Sequence, residues 1–230
     1  KTHNAETYGT NILNAIIGKR FDYPKSLYAV HDAIRFFVAN KPNAIIIDFF
    51  SGSGTTLHAV NLLNAEDGGH RRCIMVTNNE VSADEAKTLK DKGYKPGDEE
   101  WEKLGIARYV TWPRTVCSIE GHDVNGNPLN GDYLGSEAPL HMADGFKANA
   151  AFFKLSFLDS TAVSLGMRFS EMLPTLWLKA GAKGKCPELS SEQIPDMLIL
   201  PENKFAVLIN ENTFASFAEK LAEHPEVQTV

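Results

Sequence analysis

Cysteine is scarce: there are three in 230 residues, Cys73, Cys117 and Cys186. Their odd number and wide spacing exclude a disulfide framework and a CxxC metal knuckle. The seven histidines are scattered, with neither an HExxH nor an HxH pair, so no metal site is expected. Long apolar runs are also missing. Stretches such as Ala44–Ile47 and Met197–Leu200 fall far short of the about 20 residues a bilayer demands, so no membrane association is expected. Lys1 to Tyr8 is polar and unlike a secretory signal. With so little cysteine, a reducing cytoplasm is the expected compartment. A basic excess is absent as well: 23 Lys and Arg face 29 Asp and Glu, a formal charge of −6. That argues against a chain that grips nucleic acid over its whole surface, and leaves room for a local basic cleft. No repeat or low-complexity tract occurs. The first residue is not Met, so the chain is expected to begin inside a longer one.

What is present is ordinary for a globular chain, with 43% hydrophobic and 23% charged residues. The length suits one well-buried domain with an appendage, or two small domains. Thr10 to Ile17 reads as a helix stopped by Gly18. Ser26 is a plausible N-cap for a helix to about Ala39, with Leu27, Val30, Ile34, Phe37 and Val38 on its apolar face. Ala44–Asp48 is apolar and mostly β-branched without alternation, the pattern of a parallel strand buried on both faces. A glycine-bearing loop, a helix from Leu57 to about Asn64, the turn Asp67-Gly68-Gly69 and a second strand Cys73–Thr77 complete a βαβ unit.

Beyond it, Ala83–Lys92 reads as a charged helix, and Trp101–Leu104 as a helical turn. Ile106–Trp112 stays open between helix and strand. Turn signals crowd Gly121–Tyr133. Phe146–Leu158 has near-strand spacing, and Thr161–Ala180 is a helix interrupted at Pro174. A loop over 180–193, strands at Met197–Leu200 and Phe205–Ile209, a helix at Thr213–Glu223 and a further strand from Val227 follow. The expected division is a core over 1–120, a turn-rich connector over 121–145, and a small α/β extension over 146–230.

The chemistry centres on Asp48-Phe49-Phe50-Ser51-Gly52-Ser53-Gly54-Thr55-Thr56. A buried strand delivers an acid at its C-terminal end, where open α/β sheets place ligands. Gly52 and Gly54 allow positive φ and close backbone approach. Thr55 or Thr56 can cap the following helix, whose N-terminal amides favour an anionic group. A GxG loop alone is weak, since many such strings are plain turns. A phosphate-binding P-loop is excluded because no Lys follows Gly54. The dinucleotide fingerprint is incomplete, with no third glycine in Thr55-Thr56-Leu57.

Taken whole, the string resembles the S-adenosylmethionine (AdoMet) motif of the DNA amino-methyltransferases, D-x-F-x-G-S-G-T-T, and meets every fixed position of it. Phe21-Asp22-Tyr23-Pro24-Lys25-Ser26 resembles the F-x-x-P-K-P/S segment that precedes that motif. Asn78-Asn79-Glu80 closes the second strand where the family has its ribose-binding acid. Weaker likeness runs through Gly105–Arg108, Trp112-Pro113-Arg114 and Phe146–Phe157. The resemblance implies a Rossmann-like, doubly wound AdoMet-dependent core. In it Asp48 accepts from the cofactor's ammonium, and Phe49 or Phe50 faces the sulfonium and adenine while the other is expected in the core. The backbone around Ser51, Gly52, Ser53 and Gly54 wraps the methionine moiety. Lys25 and Ser26, beside Phe21 and Pro24, hold its carboxylate. Glu80 takes the ribose hydroxyls, and Asn78 or Asn79 reads the adenine edge. Lys25 as a solvated lysine and Asn79 as a turn residue are the plain alternatives, and His58 is taken as structural.

One family feature is missing. Such enzymes orient the target amine with an Asp/Asn/Ser-Pro-Pro-Tyr/Phe/Trp tetrapeptide, whose aromatic residue stacks on a flipped base. No Pro-Pro occurs in this sequence. In one circular order of the family that tetrapeptide precedes the AdoMet motif, and the chain fits that order with its front missing. The resemblance therefore implies the AdoMet-binding portion of a site-specific DNA methyltransferase of a restriction-modification system, adenine N6 ahead of cytosine N4. The segment itself would be inactive. DNA is the implied partner of the whole enzyme, together with a restriction subunit. A non-catalytic nucleotide-binding or DNA-scaffolding module, and an NAD-dependent oxidoreductase, are the rival readings.

Overall fold

The computed structural model describes residues 2–135, 138–164, 166–189 and 194–230. Two units divide the chain, Lys1–Phe153 and Lys154–Val230.

In the first unit, helix α1 (Asn11–Ile17) ends at Gly18, whose φ of +72° breaks the helical path. Helix α2 (Leu27–Val38) begins at Ser26, whose Oγ accepts the Ala29 N–H at 3.4 Å. Strand β1 (Ile45–Asp48), helix α3 (Thr55–Asp67) and strand β2 (Arg72–Met75) form the expected βαβ unit. The strands pair in parallel from Ile45–Arg72 to Asp48–Met75, so both chains leave the sheet at one edge. Helices α4 (Ala83–Asp91), α5 (Glu99–Lys103) and α6 (Trp112–Glu120) follow. Residues 107–111 are a wide helical turn leading into α6, which closes the question left open for Ile106–Trp112. Short strands β3 (Asp132–Tyr133) and β4 (Leu140–His141) pair antiparallel.

One hydrophobic cluster serves this unit. Leu13, Ile16 and Ile17 of α1 meet Leu27 and Tyr28 of α2, Ala59 and Leu62 of α3, and Val110 and Cys117. Leu129, Tyr133, Met142 and Phe146 complete it. The segment expected as a connector, 121–145, is thus part of the core among its described residues. Its turn-forming sequence hid three buried apolar side chains, Leu129, Tyr133 and Met142, that return to the same cluster.

Three expectations about burial change. Strand β1 is covered on one side only: Ile45 and Ile47 are about half exposed, as are Ile74 and Val76 of the neighbouring segment. A two-stranded sheet with its crossover helix on one side leaves the other face uncovered among the described residues. Phe37 is 72% exposed, and stacks edge-on against the exposed Phe36 at 5.2 Å. Helix α2 buries Leu27, Tyr28 and His31 and packs Val30 and Ile34 against the core, which turns Phe37 outward. Residues 147–159 form no strand, and Leu155 and Phe157 are fully exposed. Near-strand spacing there meets no partner strand among the described residues to supply a ladder.

The second unit holds helices α7 (Ser160–Ser164) and α8 (Phe169–Lys179), the latter carrying Pro174 inside it. Strands β5 (Met197–Leu200) and β6 (Phe205–Leu208) form an antiparallel hairpin, and α9 (Phe214–Ala222) follows. Phe169, Leu173, Trp177 and Phe205 form its core. From the expected strand at Val227 there is one parallel bridge, Thr229 to Phe205. Leu165, inside the expected helix 161–180, and residues 190–193 of the expected loop lie outside the described residues. Among the described residues no helix is long and apolar enough to cross a membrane.

His31 ties α2 to α3. Its ring bonds Glu66 Oε2 at 2.9 Å and Asp32 Oδ1 at 3.1 Å, and Asp32 also pairs with His3. Burial disfavours the charged ring, but the hydrogen bonds to Glu66 and Asp32 outweigh it and raise the His31 pKa. A raised histidine pKa stabilises the fold below the unfolded value of about 6.5, and that stability is lost as pH rises through the folded value. Thermal melts are expected to weaken as pH is raised from 6 to 9, with the slope flattened in His31→Gln. His31→Ala should cost roughly 1.5–3 kcal/mol, as expected for hydrogen bonds to charged groups. A pH slope unchanged by His31→Gln would remove this pair from the balance.

Candidate functional site

Asp48 stands at the C-terminal end of β1, and its carboxylate spans the loop that follows. Oδ1 accepts the Phe50 N–H at 3.1 Å and Oδ2 accepts the Thr56 hydroxyl at 2.5 Å. Each oxygen retains a lone pair for a further donor. Gly52 and Gly54 take φ values of +49° and +77°, where side chains are strained. Gly54, not Thr55 or Thr56, occupies the N-cap of α3. The left-handed conformation at that point suits glycine, so the threonines fall in the first turn. A Cβ on Gly54 would lie 3.2 Å from Thr111 Cγ2.

The two aromatic residues of the loop both point outward: Phe49 is 65% and Phe50 90% exposed. Neither belongs to the core, contrary to expectation, because the sheet face beside them is uncovered. Ser51 is buried, and its Oγ has no hydrogen-bond partner. A buried hydroxyl without a partner is costly, and a ligand polar group entering the loop would relieve it.

Residues 21–26 run beside this loop. Phe21 comes within 4.0 Å of the Cβ position on Gly52, and Pro24 is buried. Lys25 is exposed at an open groove of about 570 Å³ shared with Ser26, Val30, Ile34, Phe37 and Thr56. The Ser26 hydroxyl is already engaged, as cap to Ala29 and as donor to the Thr2 carbonyl at 3.2 Å.

The parallel register brings the end of β2 next to Asp48, with the Val76 N–H donating to the Asp48 carbonyl at 2.7 Å. Asn78 and Glu80 are exposed, and Asn78 Nδ2 donates to Glu80 Oε2 at 3.2 Å. Asn79 is different. Its Nδ2 donates to the Glu102 carbonyl and carboxylate at 2.8 and 2.9 Å, and its Oδ1 accepts the Arg108 N–H at 3.2 Å. With Gly105 packed directly against it, Asn79 is a structural clasp and its amide is not free to read a base.

Two residues that sequence reasoning did not assign brace the loop from inside. Thr111 Oγ1 donates to the Gly52 carbonyl at 2.6 Å. Arg114, 1% exposed, donates from Nη1 to the Ser53 carbonyl, the Ser53 hydroxyl and the Thr55 hydroxyl at 3.2, 3.1 and 2.8 Å. Its Nε and Nη2 face His58 Nδ1 at 3.4 Å, and His58 Nε2 lies 2.8 Å from the Tyr133 hydroxyl. Burial, with the Arg114 charge adding to it, holds the His58 pKa well below the usual range, so the ring is neutral and accepts at Nδ1. The Trp112-Pro113-Arg114 string was the available signal, but its partners lie about 60 residues upstream.

Residues 2–114 match the family model described as DNA methylase. The chain resembles the DNA amino-methyltransferases. Over 71 residues it is 45% identical to the type II methyltransferase M.KpnI of Klebsiella pneumoniae, covering 30% of this chain and 16% of that protein. It is 32% identical over 93 residues to the Mod subunit of the type III restriction-modification enzyme EcoPI of Escherichia phage P1, 40% of this chain and 14% of that subunit. The StyLTI Mod subunit of Salmonella typhimurium is 39% identical over 79 residues, 34% of this chain and 12% of that subunit. The matched stretches are thus a minor part of each relative. The matched residues 2–114 contain the whole Asp48–Thr56 loop, both strand ends and Arg114.

Proposed function

We propose that this chain is the AdoMet-binding portion of a site-specific DNA methyltransferase of a restriction-modification system, acting on adenine N6. The observation that carries the reading is the loop itself. A parallel strand ends on Asp48, two positive-φ glycines expose backbone, and Glu80 lies in the segment that follows the adjacent strand. AdoMet, when bound, supplies a methyl group activated on a sulfonium.

The residues suit that ligand. The remaining lone pairs of Asp48 accept an ammonium, and the unpartnered Ser51 hydroxyl offers a buried polar contact. The exposed rings of Phe49 and Phe50 present π-faces to a cation and an adenine. Because the Ser26 hydroxyl is engaged, the ligand carboxylate falls to Lys25 and to the loop. Glu80 accepts the two ribose hydroxyls, and Asn78 replaces the pinned Asn79 at the adenine edge. Positioning, not covalent catalysis, is the contribution of such a site.

The half-exposed face of β1 and β2 supports the same reading, since parallel sheets are normally covered on both faces. Further strands and helices from outside residues 1–230 would cover it and bring the Pro-Pro tetrapeptide that holds the target amine. DNA is then the substrate, and the names of the Mod subunits make a restriction subunit the proposed partner.

Glu80→Ala is expected to weaken AdoMet binding by roughly 1.5–3 kcal/mol, the range for hydrogen bonds to a charged group. Isothermal titration reads this directly. Unchanged affinity in the variant would take Glu80 out of the site.

A further inference from the structure

Arg114 is a buried cation. Among the described residues no carboxylate pairs with its guanidinium; its partners are two hydroxyls, one carbonyl and a neutral imidazole. Such burial is expensive, and it pulls the guanidinium down to about 10, still charged at neutral pH. All three Nη1 acceptors belong to Ser53 and Thr55, on either side of Gly54 at the start of α3. The positive charge therefore sits directly beneath the loop and adds to the field of the helix N-terminus. Little solvent screens it, whereas Lys25 is exposed and well screened.

We propose that Arg114 is a positioning residue whose charge, acting through Ser53 and Thr55, selects ligands that carry a carboxylate at the loop. The ligand's carboxylate is the counter-charge that the described residues do not supply. This inference rests on the AdoMet reading above, and it adds a specificity determinant to that site.

The test compares AdoMet with decarboxylated AdoMet, which keeps the adenosine, sulfonium and ammonium and lacks only the carboxylate. Wild-type chain is expected to prefer AdoMet. Arg114→Gln keeps a donor and removes the charge; AdoMet should then bind about tenfold more weakly, while the decarboxylated ligand stays within about twofold or binds tighter. Arg114→Lys keeps the charge and should keep most of the preference, which carries the test if the Gln variant does not fold. Equal weakening of both ligands in Arg114→Gln, or loss of the preference in Arg114→Lys, would show Arg114 to be a brace only and overturn the proposal. Wild-type chain that binds neither ligand would instead overturn the AdoMet reading on which it stands.

Discussion

Residues 1–230 alone are expected to transfer no methyl group to DNA. On the proposed reading cofactor binding and chemistry are separable: the loop after β1 would hold the donor, whereas a Pro-Pro tetrapeptide, which residues 1–230 do not contain, would hold the acceptor amine in line with it. Without that clamp a target base would have to leave the stack, at a cost of a few kcal/mol, with no pocket to receive it. The net charge of −6 gives no general attraction to the phosphate backbone. A radiolabelled transfer assay on adenine-rich and cytosine-rich duplexes should show background only, and adding a segment that carries the tetrapeptide should restore transfer. Robust turnover by residues 1–230 would mean that the acceptor clamp is already within them.

Gly145→Ala is expected to unfold the first unit or to cost it more than about 4 kcal/mol, an exceptional loss for one methyl group. Gly145 has φ +63°, and a Cβ there would sit 2.1 Å from the Ile119 carbonyl oxygen. Gly121 answers it from the end of α6, where a Cβ would meet the Ala143 carbonyl oxygen at 2.1 Å. Backbone thus presses on backbone at both positions, and no side chain can yield. The contact also carries the Phe146 N–H to Ile119 carbonyl bond at 2.9 Å, which seats Phe146 in the core. Gly68→Ala is the control. Its φ is +71° but nothing lies within 4 Å, so it should show conformational strain alone, roughly 1–2 kcal/mol. Denaturant unfolding that gave both variants similar losses would contradict the interlock.

These contrasts show what the sequence could reveal. The β1–α3–β2 unit, the Ser26 cap and the glycine loop were legible because each depends on neighbours within a few residues. The hairpin β5–β6 was legible for the same reason. Arg114 was not, since its partners Ser53, Thr55 and His58 lie 56 to 61 residues away and only the fold joins them. The burial of β1 was misread because a β-branched run signals a strand without saying how many of its faces are covered, and among the described residues only one face is. Asn79 was undecided on sequence, and its clasp to Glu102 and Arg108 depends on α5 and the helical turn after it, more than 20 residues downstream. Residues 121–145 looked like a linker because turn residues outnumber the three buried apolar side chains, Leu129, Tyr133 and Met142, that enter the core.

The most direct measurement is an equilibrium titration of residues 1–230 with AdoMet and, separately, with NAD. Saturable one-site binding of AdoMet is predicted, with no heat from NAD. Gly54→Val should abolish it, since a branched side chain at φ +77° and 3.2 Å from Thr111 would displace the loop. No AdoMet binding at concentrations up to about 1 mM, where free energies near −4 kcal/mol are still detected, or tighter binding of NAD, would contradict the assignment.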